Sequence, residues 1–316
     1  SIALMSEIQT PVQAIVLYGV LFALATAGTS AAPIGVMVSR WFPEKLGMAN
    51  SIAISGMGVG QLVIILLLTR QLETIGWRGA FLLLAGLGLL LFVPLALQAI
   101  PNAAPPSADK QDNSASTAEP NPKLSNTLKD SRLWLLLVIY AICGFQDFFL
   151  ATHVVAFARD QGIAATLSGN LFALMGLAGL VGVLLTGFVS DRRGPMMPTL
   201  LCFVLRIGLF ALVLITGSHL AIISFALLYG FTFWITAPLT IVFVRQYFGT
   251  RHLGTLTGIV VMVHHGSGGV GAYIGGVAYD TVGSYQGIFQ LMLLFSLAAL
   301  LFSWLLSMKR KTAIAN

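Results

Sequence analysis

The sequence predicts an all-α polytopic membrane protein with nine transmembrane helices arranged as three plus six. Three observations predict it. Nine apolar stretches of about twenty residues or more fill almost the whole 316-residue chain, and ~20 residues at 1.5 Å rise match a hydrocarbon core of roughly 30 Å. Hydrophobic residues make up 57% and charged residues 9%, whereas soluble domains carry roughly a quarter charged. Basic residues, finally, concentrate in one set of loops.

The predicted spans are 12–39, 48–70, 79–100, 133–158, 165–189, 197–217, 220–244, 254–279 and 286–308. One set of loops holds Arg40, Lys45, Lys110, Lys123, Lys129, Arg132, Arg192, Arg193, Arg245, Arg251, Lys309, Arg310 and Lys311; the other holds Arg70, Arg78 and Arg159. Short cytoplasmic loops keep excess positive charge. The bias puts the C-terminus and the long middle loop in the cytoplasm and Ser1 outside. It also accounts for the net charge of +6 without nucleic acid, since no basic stripe carries interleaved aromatics. Cys143 and Cys202 both fall within spans, which excludes a disulfide framework.

Residues 101–132 form a linker, rich in Pro, Ser and Ala without apolar periodicity. Such a composition cannot offset its ordering entropy, so most of it is expected to be mobile, with 123–132 lying as a short interfacial helix. The linker separates three spans (1–100) from six (133–316). The two parts are related internally. Ala32-Pro33 matches Ala237-Pro238, Arg40 matches Arg245, Leu46-Gly47 matches Leu253-Gly254, Gly76 matches Gly283 and Phe81 matches Phe289, at offsets of 205 to 208. Internal repeats of this kind mark transporter folds. The offset makes spans one to three equivalent to spans seven to nine. It leads to the expectation of a 6+6 protein lacking on the order of 75 residues upstream.

Gly187-Phe-Val-Ser-Asp191-Arg192-Arg193-Gly194 closes the fifth span. It resembles the loop signature Gly-x-x-x-Asp-Arg-x-Gly of the major facilitator superfamily, found between the second and third helices of each six-helix half. In physical terms, Gly187 permits close helix approach, Asp191 can cap a neighbouring helix end, and Arg192 and Arg193 hold the charged side. The trailing basic residues of the signature are replaced by Pro195-Met196-Met197. Three further loops resemble the monocarboxylate-transporter and oxalate/formate-antiporter-like branch: Arg40 to Gly47, Phe248 to Gly258 and Ala278 to Tyr285, as does the helix end His153 to Gly162. The resemblance implies the major facilitator fold, nine of twelve helices being present, in a multi-pass protein of the plasma or inner membrane. It also implies an Arg after the glycine in the eighth helix, pairing with a substrate carboxylate. Here Val183 follows Gly182, so that role is not carried over.

Polar residues at membrane depth are costly and become site candidates by default. Asp147 is the only carboxylate deep in a span. It stands beside Gln146, with His153 on the face of Gln146. It is expected to carry a proton or to counter a cationic substrate, or else to bond a neighbour's hydroxyl. His264 and His265 lie at the middle of the eighth span. Adjacent residues point about 100° apart, so at most one of the two faces the cavity; a metal pair prefers i, i+4 spacing, and no metal site is predicted. Trp234 is a candidate cavity wall, and Arg206 is expected to snorkel or to meet a backbone carbonyl.

No nucleophile–base pair or P-loop appears, so neither an enzyme nor a cofactor is predicted. The expected function is secondary active transport of a small organic anion of carboxylate type by alternating access, proton-coupled or exchanging. The alternative is a non-transporting membrane sensor or partner-binding protein on the same fold. The expected partners are a small-molecule substrate and membrane lipid; the oligomeric state is open and compatible with a monomer.

Overall fold

A computed structural model describes residues 1–99 and 123–315. Among them, eight helical segments are long and apolar enough to cross a membrane: α1 (Pro11–Trp41), α2 (Leu46–Leu68), α3 (Arg70–Gln98), α4 (Ser131–Asp160), α5 (Ala165–Arg193), α6 (Met196–Ile215), α7 (His219–Phe248) and α9 (Gln286–Lys309). The ninth predicted span is α8 (Leu253–Val282), an unbroken helix of 30 residues. At about 45 Å it has the length to cross, but His264, His265 and the glycines around them dilute its apolar run below the others. The linker expectation for 101–122 lies outside the described residues. Its last part does contain a short helix, Leu124–Thr127, and Asp130 then caps α4 by accepting from the Arg132 backbone N–H.

The internal repeat reappears in backbone geometry. α1 is interrupted at residues 28–30 and restarts at Ala31. α7, predicted as continuous, is interrupted at 234–235 and restarts at Thr236. Each restart lies two residues before a proline, Pro33 or Pro238. Proline is tolerated in a helix's first turn, where its missing N–H has no intrahelical acceptor. α2 and α8 begin at Leu46 and Leu253, and Gly76 and Gly283, again 207 residues apart, have φ of 64° and 69°. Only glycine reaches that region without steric cost; Gly283 ends α8 ahead of α9, and Gly76 kinks α3 near its start.

Glycines also set the closest helix contacts. A Cβ added to Gly271 or Gly144 would overlap the backbone carbonyl of Phe145 or of His264, so α4 and α8 touch main chain to main chain. α5 meets α7 in the same way, at Gly182 against Phe231. In lipid there is no hydrophobic drive between helices, and small residues allow the close packing that replaces it. The core lies among α4 to α9: Phe149, Phe203, Phe210, Phe225, Phe243 and Phe289 are all fully buried.

α2 runs beside α5 along its length. At one end, a Cβ on Gly47 would come within 3.0 Å of the Gly187 carbonyl. Further along, the Gln61 amide donates to the Phe172 carbonyl at 2.7 Å. This seam joins the first three spans to the last six.

Candidate functional site

The site forms where α4, α6, α7 and α8 meet. On α4 the i, i+4 spacing puts Cys143 and Asp147 on one face, and Gln146 beside them. α6 brings Arg206, whose side chain has none of its surface exposed. α7 brings Tyr229 and Thr232, in the turn just before its break.

Arg206 and Asp147 form an ion pair, Nη2 to Oδ1 at 2.7 Å. Of the two expectations for Arg206, snorkelling is corrected, and the bond to a backbone carbonyl is present at Thr232. Its guanidinium stays inside the bundle because every donor direction is met. Nε donates to Thr232 Oγ1 at 3.1 Å, Nη2 also to the Thr232 carbonyl at 3.2 Å, and Nη1 to Gln146 Oε1 at 3.1 Å and to Cys143 Sγ at 3.5 Å. The Thr232 carbonyl has no full helical partner because the helical run stops at Phe233; it accepts from the Ile235 N–H at 3.3 Å, and its second lone pair meets Arg206. Gln146 in turn donates from Nε2 to the Met292 carbonyl at 2.9 Å and to Ser296 Oγ at 2.8 Å. It is fully buried and braces α4 to α9.

The two oxygens of Asp147 have different neighbours. Oδ1 accepts from Arg206 and from the Tyr229 hydroxyl at 2.8 Å. Oδ2 accepts from the Cys143 thiol at 3.2 Å and lies 3.5 Å from His264 Nε2. That contact lacks hydrogen-bond geometry, and His264 Nε2 is a buried atom with no hydrogen-bond partner among the described residues. The His264 side chain is 16% exposed against 4% for Asp147. Of the groups around the carboxylate, His264 is the one that reaches a surface. Cys143 Sγ, His264 and an Asp147 oxygen all lie within 4.8 Å of one another.

The other candidates separate from this cluster. His265 is exposed and bonds through Nδ1 to the Val261 carbonyl of its own helix at 2.9 Å. His153 lies toward the end of α4 that carries Asp160. Its Nε2 must donate to the Ala272 carbonyl at 2.9 Å, so in the neutral ring Nδ1 accepts from the Tyr285 hydroxyl at 3.1 Å. Burial pushes the Tyr285 phenol up to about 12, keeping that proton in place. Trp234 stands at the α7 break, its ring against Gly179 of α5, and its buried Nε1–H has no partner among the described residues. Arg206, Tyr229, Cys143 and Thr232 were not predicted as site residues. Charge neutrality was the available signal, since a lone acid and a lone base at membrane depth have only each other.

The loop signature holds a second arrangement. The Asp191 carboxylate accepts from the backbone N–H groups of Gly47 at 2.7 Å and Met48 at 2.9 Å. These are first-turn donors of α2 with no acceptor inside their own helix. Arg192 stacks on Phe188, 3.8 Å from the ring centre; Arg193 is exposed, and Gly194 ends α5 with φ of 80°. Gly187 has no room for a side chain, since a Cβ would come within 2.6 Å of Ser51 Oγ. Arg245 Nη1 adds a bond to the Pro43 carbonyl at 3.1 Å.

Residues 1–272 match the profile described as Major Facilitator Superfamily. Among similar proteins, Monocarboxylate transporter 12 of Rattus norvegicus is 26% identical over 304 residues, covering 87% of this chain and 62% of that protein. YcxA of Bacillus subtilis (strain 168), described as an uncharacterized MFS-type transporter, is 25% identical over 286 residues, covering 88% and 69%. MFS-type transporter 1 of Ophiocordyceps sp. (strain BCC 1869) is 31% identical over 202 residues, covering 61% and 41%. The chain spans about 62% of the length of the monocarboxylate transporters it matches. These relatives bear the names of transporters, not of enzymes.

Proposed function

Because the chain belongs to the Major Facilitator Superfamily, we propose that it serves secondary active transport of a small organic anion of carboxylate type, by alternating access and coupled to protons. It is an integral multi-pass membrane protein, and the basic-loop bias supports a plasma or inner membrane location with the C-terminus in the cytoplasm. The likeness to monocarboxylate transporters supports the substrate class.

The observation that carries the coupling is the divided Asp147 carboxylate, with Arg206 on one oxygen and the partly exposed His264 near the other. A proton taken up by His264 would face Asp147 at 3.5 Å and compete with Arg206 for its charge, freeing the guanidinium for an anion. Deprotonation would restore the pair and release the anion.

The test is uptake by the whole protein in proteoliposomes, across small carboxylates, with and without an inward proton gradient. Asp147→Asn keeps an acceptor for Tyr229 while removing the charge. It should still exchange substrate but lose gradient-driven accumulation. Unchanged accumulation in that variant would remove Asp147 from coupling, and no carboxylate flux in the wild type would remove the substrate class.

A further inference from the structure

The cluster on the far side of Asp147 has the donors of a transition-metal site. We propose that Cys143, Asp147 and His264 bind a zinc-class divalent cation through Sγ, Oδ2 and Nε2, with a fourth position left open.

The argument is chemical and geometric. Sulfur, imidazole nitrogen and carboxylate oxygen are the three protein donors zinc takes, at about 2.0 to 2.3 Å each, and three such ligands with an open position describe its non-structural sites. Ligands around one such ion lie roughly 3 to 4 Å apart. Oδ2 stands 3.2 Å from Sγ and 3.5 Å from Nε2, and all three groups fall within 4.8 Å. Cys143 and Asp147 share one helix face, and His264 faces them from α8, held by main-chain contact at Gly144. The adjacent histidines suggested no metal site because the other donors come from a different helix.

Two further observations favour an ion there. His264 Nε2 has no hydrogen-bond partner among the described residues, which costs a buried polar atom stability unless something meets it. Arg206 engages Oδ1 and reaches Cys143 Sγ only at 3.5 Å, while Oδ2 accepts from the Cys143 thiol, the proton that the metal would replace. The thiol exchanges its proton for the metal, and that proton leaves to solvent. Thiolate, carboxylate, guanidinium and a divalent ion then sum to +1, which suits an anion in the fourth position.

The experiment uses the purified protein in detergent with Cd2+ as probe, because cadmium–thiolate bonds absorb in the ultraviolet. One equivalent should produce the band in wild type and in Cys202→Ser, and Zn2+ should abolish it by displacement. Cys143→Ser should lack it. His264→Gln should bind at least about tenfold more weakly, since even removing a residue that only supports a ligand costs 10- to 100-fold. Matching melting temperatures without metal guard against misfolding, with Cys143→Ala and His264→Asn as second variants. A band that survives in Cys143→Ser, full affinity in His264→Gln, or no band in wild type would each overturn the site. Because binding alone is measured, the result does not depend on whether the protein carries carboxylates.

Discussion

Arg206 keeps a full positive charge with none of its side chain exposed, and Asp147 is what makes that tolerable. A buried pair gains little over an apolar pair of the same volume, but losing one partner strands the other at about 3–5 kcal/mol. Arg206→Met should therefore destabilise the protein by about that much, and Asp147→Leu with Arg206→Met should recover most of it. Chemical unfolding in detergent measures both. A double variant as unstable as the two single losses combined would mean that the charges do not act as a pair. At this scale the sequence was half legible. Asp147 and the histidines stand out as polar residues in apolar runs. Tyr229, Thr232 and Cys143 do not, because an aromatic, a small hydroxyl and a thiol are ordinary in a membrane helix.

The helices themselves were easier to foresee, since their period and length follow from the bilayer. Their interruptions were not. The break at 234–235 has no glycine, and Pro238 marks it only from three residues beyond. α8 was predicted as a span; it forms one unbroken helix but is not among the eight segments apolar enough to cross, and its glycines set its contact with α4. Gly271→Leu would drive a side chain into the Phe145 backbone and should cost about 1–3 kcal/mol or more, whereas Gly266→Ala meets nothing within 4 Å and should add up to about 1 kcal/mol of helix stability. Equal melting temperatures for the two variants would contradict the contact. At the start of α4, burial raises the Asp130 carboxyl, but hydrogen bonds and charge from Arg132 outweigh it and hold the group below the usual carboxylate range. The cap's contribution is thus complete above the ordinary aspartate value and is lost as pH falls through the lowered folded one. Asp130→Ala should cost about 1 kcal/mol at neutral pH, and the difference from wild type should shrink on acidification. A gap constant down to pH 3 or so, below the ordinary aspartate value, would exclude the cap.

Across the whole molecule, the seam between α2 and α5 carries most of the contact between the first three spans and the last six, with smaller contacts from α1 to α7 and α8. Its Asp191 cap joins a charge to two backbone donors, a bond that exists only while those helix ends meet. Asp191→Ala should slow uptake several-fold while leaving the substrate concentration for half-maximal rate within about twofold, because a contact present in one conformation shifts populations rather than the binding groups. A matching loss of affinity would place Asp191 at the substrate instead. The repeat made this scale partly legible, since it located equivalent helix starts and the paired turns at Gly76 and Gly283. The seam was not, because nothing in either segment alone says which neighbour its glycines will meet. Trp234 adds an optical consequence. Its indole N–H is buried beside Gly179 with no acceptor among the described residues, so its emission, read with the other four tryptophans replaced, should be blue. Any state that admits water or an anion to the break in α7 hands that proton a partner and reddens the emission. The chain thus carries its own dye at the place where opening would first be felt.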